Sequence, residues 1–210
     1  MTKVILQQLT TQPWVQHRYV LSDIDGRTFV NGPHTYGVLM LIDRSLNLRQ
    51  LLSFPFHTKQ GRQLLLAQIQ LRTEILLVGN VHLESTRGEA NVRSHQLQTC
   101  QSVFDRYARN RPDVTCLLMG DFNFHAKWSE NTRQMNILRN WIDLWPSLNG
   151  VHNSGNTFKK CRYDRIMFRS TRVHPIGIQI IGDRPIGQSS NNIYPSDHFG
   201  LMADFNLPYV

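Results

Sequence analysis

The chain has little cysteine, no long apolar run and a shortage of acidic side chains, and each deficit removes a class of protein. Cys100, Cys116 and Cys161 are odd in number and lack the close spacing of metal-binding cysteines. They lie in segments that read as helix, buried strand and loop, so they are expected to be reduced thiols of an intracellular protein. No stretch approaches the roughly 18 apolar residues that a membrane-spanning helix needs. The start, Met1-Thr2-Lys3, leads only into Val4-Ile5-Leu6, too short for the core of a secretory signal. No repeat, low-complexity linker or block of charge divides the 210 residues, which fit one domain. Asp and Glu number 15 against 23 Lys and Arg, a formal charge of +8 that favours a polyanionic partner through counterion release. Lys159, Lys160, Arg162, Arg165, Arg169 and Arg172 concentrate that charge in one segment.

Short apolar runs bounded by Gly, Pro, Asn or polar turns predict strands at Val4–Leu6, Thr28–Val30, Val38–Ile42, Leu64–Gln70, Ile75–Val81, Val114–Met119, Arg165–Phe168, Ile176–Ile181 and Leu201–Phe205. Two helices are predicted. In the first, about Ala90 to Arg109, Leu97, Cys100, Phe104, Tyr107 and Ala108 recur at helical spacing. In the second, about Thr132 to Trp145, Leu138, Trp141, Ile142 and Trp145 do the same, so both tryptophans read as core. Many strands with few helices suggest an α/β (α+β) class with two β-sheets packed face to face and helices outside.

Four short segments carry chemistry: Val81-His82-Leu83-Glu84-Ser85, Gly120-Asp121-Phe122-Asn123, Tyr163-Asp164-Arg165 and Ser196-Asp197-His198. Apolar runs such as Leu76–Val81 and Val114–Met119 end in these polar pairs, which puts the chemistry at strand ends where an α/β sheet opens. Carboxylates, an amide and imidazoles together suit hydrolysis of a phosphate ester with a hard divalent cation: they supply oxygen ligands, a water activator and donors for developing phosphoryl charge. Asp121 and Asn123, two apart after a strand, are expected to point to one side if the chain stays extended. Gly-Asp-x-Asn alone also suits a simple turn. His82 and His198 are the candidate donors to the phosphate, Ser85 and Arg87 an anion site nearby; Glu84 is expected to be structural.

These motifs resemble those of the endonuclease/exonuclease/phosphatase superfamily. The run His82-Leu83-Glu84-Ser85-Thr86-Arg87-Gly88 with Arg93 and Gln96-Leu97, together with Cys161-Arg162-Tyr163-Asp164-Arg165-Ile166 and Pro195-Ser196-Asp197-His198-Phe199-Gly200-Leu201, is similar to its 5′-tyrosyl-DNA phosphodiesterase (type 2) branch. The resemblance covers the chain from about Val4 to about Phe205. It implies a DNase I-like four-layer α/β sandwich of two mixed sheets, Mg²⁺ or Mn²⁺ as cofactor, and DNA ends, including protein-linked 5′ ends, as substrate. It also implies a monomer without membrane attachment, in nucleus or cytoplasm. By resemblance, Asp164 holds His198 in the correct tautomer, and Asp197 sits beside the metal.

The family's metal site has two further residues near its amino end, an Asn closing the first strand and a Glu in Leu-Gln-Glu closing the next. Here the Asn strand is absent. Val4-Ile5-Leu6-Gln7-Gln8-Leu9 is aligned with the second strand, so Gln8 is expected at the metal, where an amide is a poorer Mg²⁺ ligand than a carboxylate. One domain without its first strand–helix unit is therefore expected. Thr157-Phe158-Lys159 replaces Thr-Trp-Asp, and His125 replaces an Arg after Gly-Asp-x-Asn; Phe158, His125 and Arg162 are assigned to the substrate, with Phe158 able to stack on a base. A DNA-end phosphodiesterase, a binding module that lost turnover, and another phosphoesterase or nuclease of the superfamily all remain open at this point.

Overall fold

The computed structural model describes residues 1–30, 35–187 and 193–207. The amino end is helical. Helix α1 (Lys3–Thr10) is capped by Thr2, whose hydroxyl accepts from the Ile5 N–H, and buries Leu6; α2 (Pro13–Arg18) starts at a proline, whose missing N–H costs nothing in a first turn. The strand expected at Val4–Leu6 is thus the first turns of α1. Among the described residues its short apolar run pairs with no strand, and the Thr2 cap and buried Leu6 favour the helix. The strand expected at Thr28–Val30 is also absent: Asp23 accepts from the N–H groups of Asp25, Gly26 and Thr28 and curls that segment into a turn.

Strand β1 (Tyr19–Leu21) pairs antiparallel with β2 (Leu41–Asp43). Then β3 (Asn47–Pro55), β4 (Gln63–Leu71) and β5 (Glu74–His82) form an antiparallel meander. Helix α3 (Ala90–Ala108) carries the chain to β6 (Val114–Asp121), parallel to β5. After α4 (Glu130–Ile137), the two-residue β7 (Ile142–Asp143) and α5 (Leu144–Asn149), strand β8 (Asp164–Arg169) inserts between β6 and β7. The result is a six-stranded mixed sheet in the order β3-β4-β5-β6-β8-β7. Strands β9 (His174–Ile181) and β10 (Gly200–Asn206) make a further antiparallel ladder.

The α/β class expected from the sequence holds, and α3 spans nearly the predicted residues. The predicted helix from Thr132 to Trp145 is broken into α4, β7 and α5, because Asp143 pairs with β8 and its carboxylate is held by Arg162 and Arg165. Trp141 and Trp145 are buried, as expected. The helix side of the sheet packs Leu97, Phe104, Leu118, Trp141 and Met167 in one core. Here Gly79 is needed for close approach: a Cβ would lie 2.8 Å from the Phe104 ring. On the other side, among the described residues, two separate two-stranded ladders stand where a second sheet was expected. Met40 and Ile42 pack on β4, and Ile178, Ile180, Leu201 and Phe205 on β6 and β8. Between β2 and β10 a cleft of about 690 Å³ runs over the sheet, lined by Met40, Ile42, Val78, Met119 and Leu201 and reaching Gly120 and Asp164.

Candidate active site

Register alone assembles most of the site. His82 ends β5 and Asp121 ends β6 as its parallel partner; Asp121 in turn faces Asp164, the first residue of β8. The sheet's hydrogen bonds therefore put an imidazole and two carboxylates side by side at one edge. Gly120 has φ +128, and a Cβ there would lie 2.0 Å from the Val81 carbonyl oxygen, so only glycine lets β6 close up to β5 one residue before Asp121.

His198 precedes β10, and its Nδ1 lies 2.8 Å from Asp164 Oδ2. This is the Asp–His pair that the resemblance implied. The hydrogen bond to Asp164 raises the His198 pKa, against the effect of its burial. Burial, and next the Asp164 charge, push Asp121 up to about 6. Burial, and next the nearby Arg62 cation, hold His82 down at about 3, so its 3.4 Å contact from Nε2 to Asp121 Oδ2 is that of a neutral imidazole. The site thus holds one neutral and one readily protonated imidazole around a carboxylate that titrates nearer neutrality than usual.

Asn123 is not extended after the strand. It has φ +55, donates its N–H to Asp121 Oδ1 at 2.8 Å and its amide to the Leu83 carbonyl at 2.9 Å. The turn alternative is therefore what the backbone adopts, and the turn itself keeps Asn123 against Asp121. Glu84 is structural, buried and accepting from Thr58, the Lys59 N–H and Gln96.

Three other expectations need correction. Arg162 is buried and grips both Asp143 oxygens at 2.9 and 2.7 Å, so its guanidinium is used inside the fold. His125 is buried with Nδ1 accepting the Arg162 N–H at 3.0 Å; it shapes the loop. The basic cluster around Asp164 is largely neutralised: Arg165 pairs with Asp143, Arg169 with Asp105 and Arg172 with Glu74, which leaves Lys159 and Lys160 exposed. A sequence does not show which cations a distant carboxylate will claim.

Gln8 lies exposed on α1, its carbonyl accepting from Thr11 and Gln12. It does not close a strand, so the basis for placing it at a metal is gone. Asp197 is exposed beside His198. Among the described residues, the acidic and imidazole group with metal-holding spacing is Asp121, Asp164 and His198, whose candidate ligand atoms lie within 4.8 Å of one another. Two hard carboxylates suit Mg²⁺ or Mn²⁺ better than a soft metal.

Ser85 and Arg87 lie on the expected loop. The Ser85 hydroxyl accepts from Arg62 Nη2 at 2.8 Å, while Arg87 is exposed. Arg62 itself was missed, because no motif marks a lone cation before an apolar strand. It is buried, stands 5.1 Å over the Tyr36 ring, and has no acceptor for its Nε among the described residues. Phe158 stacks on the His198 ring at 4.5 Å and on Tyr163 at 5.7 Å, which makes an aromatic wall beside the imidazole.

The fold is similar to that of a Bacteroides thetaiotaomicron endonuclease/exonuclease/phosphatase family protein, which matches with TM-score 0.62 at 16% identity, over 89% of this chain and 74% of its own. Within this architecture the chain resembles tyrosyl-DNA phosphodiesterase 2. The human protein is 27% identical over 179 residues, 77% of this chain and 47% of its own length; that of Rattus norvegicus is 28% identical over 174 residues, 76% and 45%. A structure of D. rerio tyrosyl-DNA phosphodiesterase 2 complexed with a single-strand DNA product matches with TM-score 0.77 at 22% identity, over 98% of this chain and 83% of that one. The chain spans about half the length of the curated relatives it matches. No family model matches it. No helix among the described residues is long and apolar enough to cross a membrane.

Proposed function

We propose that this chain is a metal-dependent phosphodiesterase of DNA ends, which releases 5′-linked tyrosine and leaves a 5′-phosphate. It would act as a monomer in DNA repair, in the nucleus or cytoplasm. The observation that carries this reading is the run of His82, Asp121, Asp164 and His198 across three hydrogen-bonded strand ends and the adjoining loop. Asp121, whose orientation the Asn123 turn fixes, takes the proton of an attacking water. His198, held by Asp164 and favoured as imidazolium, donates to a phosphoryl oxygen as charge develops. His82, kept neutral beside Asp121, serves as the second imidazole donor to the phosphate. Asp121 and Asp164 would hold the cation, which supplies positive charge for the phosphoryl oxygens when bound. Phe158 offers a ring to the terminal base.

The test is hydrolysis of a thymidine 5′-phosphate nitrophenyl ester and release of tyrosine from a 5′-phosphotyrosyl oligonucleotide, each with Mg²⁺ and with chelator. Mg²⁺-dependent release from both is expected. Turnover of neither substrate by a folded protein would overturn the reading. One observation favours a second reading, a DNA-end-binding module without turnover: no carboxylate from α1 or α2 joins the site. Salt-sensitive oligonucleotide binding without release would select it.

A further inference from the structure

We infer that Trp128 and Arg87 form a second nucleotide position, which stacks and neutralises the residue next to the reacting phosphate in a single strand. This rests on the DNA-end reading above, and it names a part of the substrate that no motif marks.

The aromatic wall does not stop at Tyr163. Beyond Tyr163, one residue before Asp164, the Trp128 ring meets it edge-on at 5.6 Å and 63°. Rings therefore follow one another without a gap from His198 through Phe158 and Tyr163 to Trp128. Trp128 sits in a turn that follows the Gly-Asp-x-Asn segment, its backbone N–H donating to the His125 carbonyl at 3.0 Å, which sets this ring a few residues beyond Asp121 and Asn123. It is only partly buried: one side packs on the helix-side core, and the rest is accessible.

Charge distinguishes this wall from ordinary packing. Arg93, Arg162, Arg165 and Arg169 all have carboxylate partners. Arg87 has none among the described residues; its guanidinium lies 5.4 Å over the Trp128 ring, exposed. At the other end, Lys159 holds its ammonium 5.1 Å over Phe158, also exposed and, among the described residues, without a carboxylate partner. A cation that rests on an aromatic face keeps its charge available to an anion outside. Alternating π-faces and unpaired cations beside a phosphate-reactive site are what a single strand needs, since bases stack on rings while phosphates find the charges.

The experiment uses the full chain and 5′-phosphotyrosyl oligothymidylates of one and four nucleotides, with anisotropy of a 5′-phosphate tetrathymidylate as a readout free of turnover. Trp128→Leu keeps apolar volume against the core and removes the ring that supports the Arg87 guanidinium, the plane on which a base would stack. The ratio of kcat/KM for the tetranucleotide to that for the mononucleotide should fall roughly tenfold, with tetranucleotide affinity falling by a similar factor, as loss of one stacked base predicts. Trp128→Phe should recover part of the ratio, and Arg87→Ala should lower the salt dependence of binding. An unchanged ratio, or an equal fall on both lengths, would overturn the inference and leave the phosphodiesterase reading standing. If wild type turns nothing over but Trp128→Leu still loses tetranucleotide affinity, the second position stands and the catalytic reading falls.

Discussion

The two faces of the six-stranded sheet are closed by different means. On the helix side, α3 and α4 cover β5, β6 and β8 continuously, and fully buried Arg93 ties them down: Nη1 donates to the carbonyls of Glu84 and Thr86, and Nη2 to both Glu130 oxygens. On the other side, the ladders β1-β2 and β9-β10 do not pair with each other among the described residues, and the cleft of about 690 Å³ lies between them. The candidate site sits where the closed and the open face share strand ends. The comparison teaches that one face supplies rigidity and the other access. A site that must position reacting groups to within a fraction of an ångström gains from strands locked on one side only.

If that division holds, the largest effect belongs to the closed face. Arg93→Ala should cost about 4 kcal/mol of unfolding free energy, since it takes away the cation partner of Glu130 and the donor to two carbonyls inside the protein; urea unfolding reads it. A loss near zero would mean that the helices do not depend on this anchor. On the open face the next effect is on rate. His198→Ala should lower kcat on the nitrophenyl ester by about 10²-fold, roughly 2.7 kcal/mol in barrier, while the unfolding midpoint changes little. Asp121→Asn should cut the rate similarly and hold or raise the melting temperature, because it removes one of two neighbouring, partly buried carboxylates.

A smaller effect tests the loop that joins β1 to β2. Burial would raise the Asp23 pKa, but the Thr28 hydroxyl and the N–H groups of Thr28, Asp25 and Gly26 outweigh it and hold the carboxyl at about 2, below its ordinary 3.8. The folded-state value is the lower one, so this stabilisation is present above pH 3.8 and fades as pH falls toward 2. Asp23→Asn should therefore cost about 2 kcal/mol at pH 7, and the gap between wild type and variant should narrow in that acid window. An identical gap at pH 7 and pH 2.5 would mean that the carboxylate charge is not what holds the loop. The smallest effect expected is at Gln8. Its place on an exposed helix predicts that Gln8→Glu leaves both rate and Mg²⁺ dependence unchanged. A rise in either would put the amino end back beside the metal.

Legibility followed how local the cause was. Helix α3 was readable because one stripe of apolar residues decides it. So were β4, β5, β6 and β8, whose apolar runs are long enough to be buried on both faces. Strand β3 was missed because Arg49 and Gln50 interrupt its apolar residues and only its pairing with β4 makes it a strand. The break between α4 and α5 was missed for a related reason: ion pairs to Asp143 from residues about 20 positions away outweigh the helical spacing. At the site, His82, Asp121, Asp164 and His198 were found because each polar residue ends or adjoins an apolar run. Arg162 and His125 were misassigned because their neighbours in space are not their neighbours in sequence.

By itself, then, the sequence determined which side chains stand at strand ends, since an apolar run must end where the sheet meets water, and it determined the excess of positive charge. Only the tertiary structure decided which of those charges remain free. Arg93, Arg162 and Arg165 are cancelled by partly buried carboxylates, while Arg87 and Lys159 rest on rings and stay exposed. Strand register likewise turned separate motifs into one site. The physical reason is that burying an unpaired charge costs more than almost any local preference can supply, so long-range pairing has the final say over each cation.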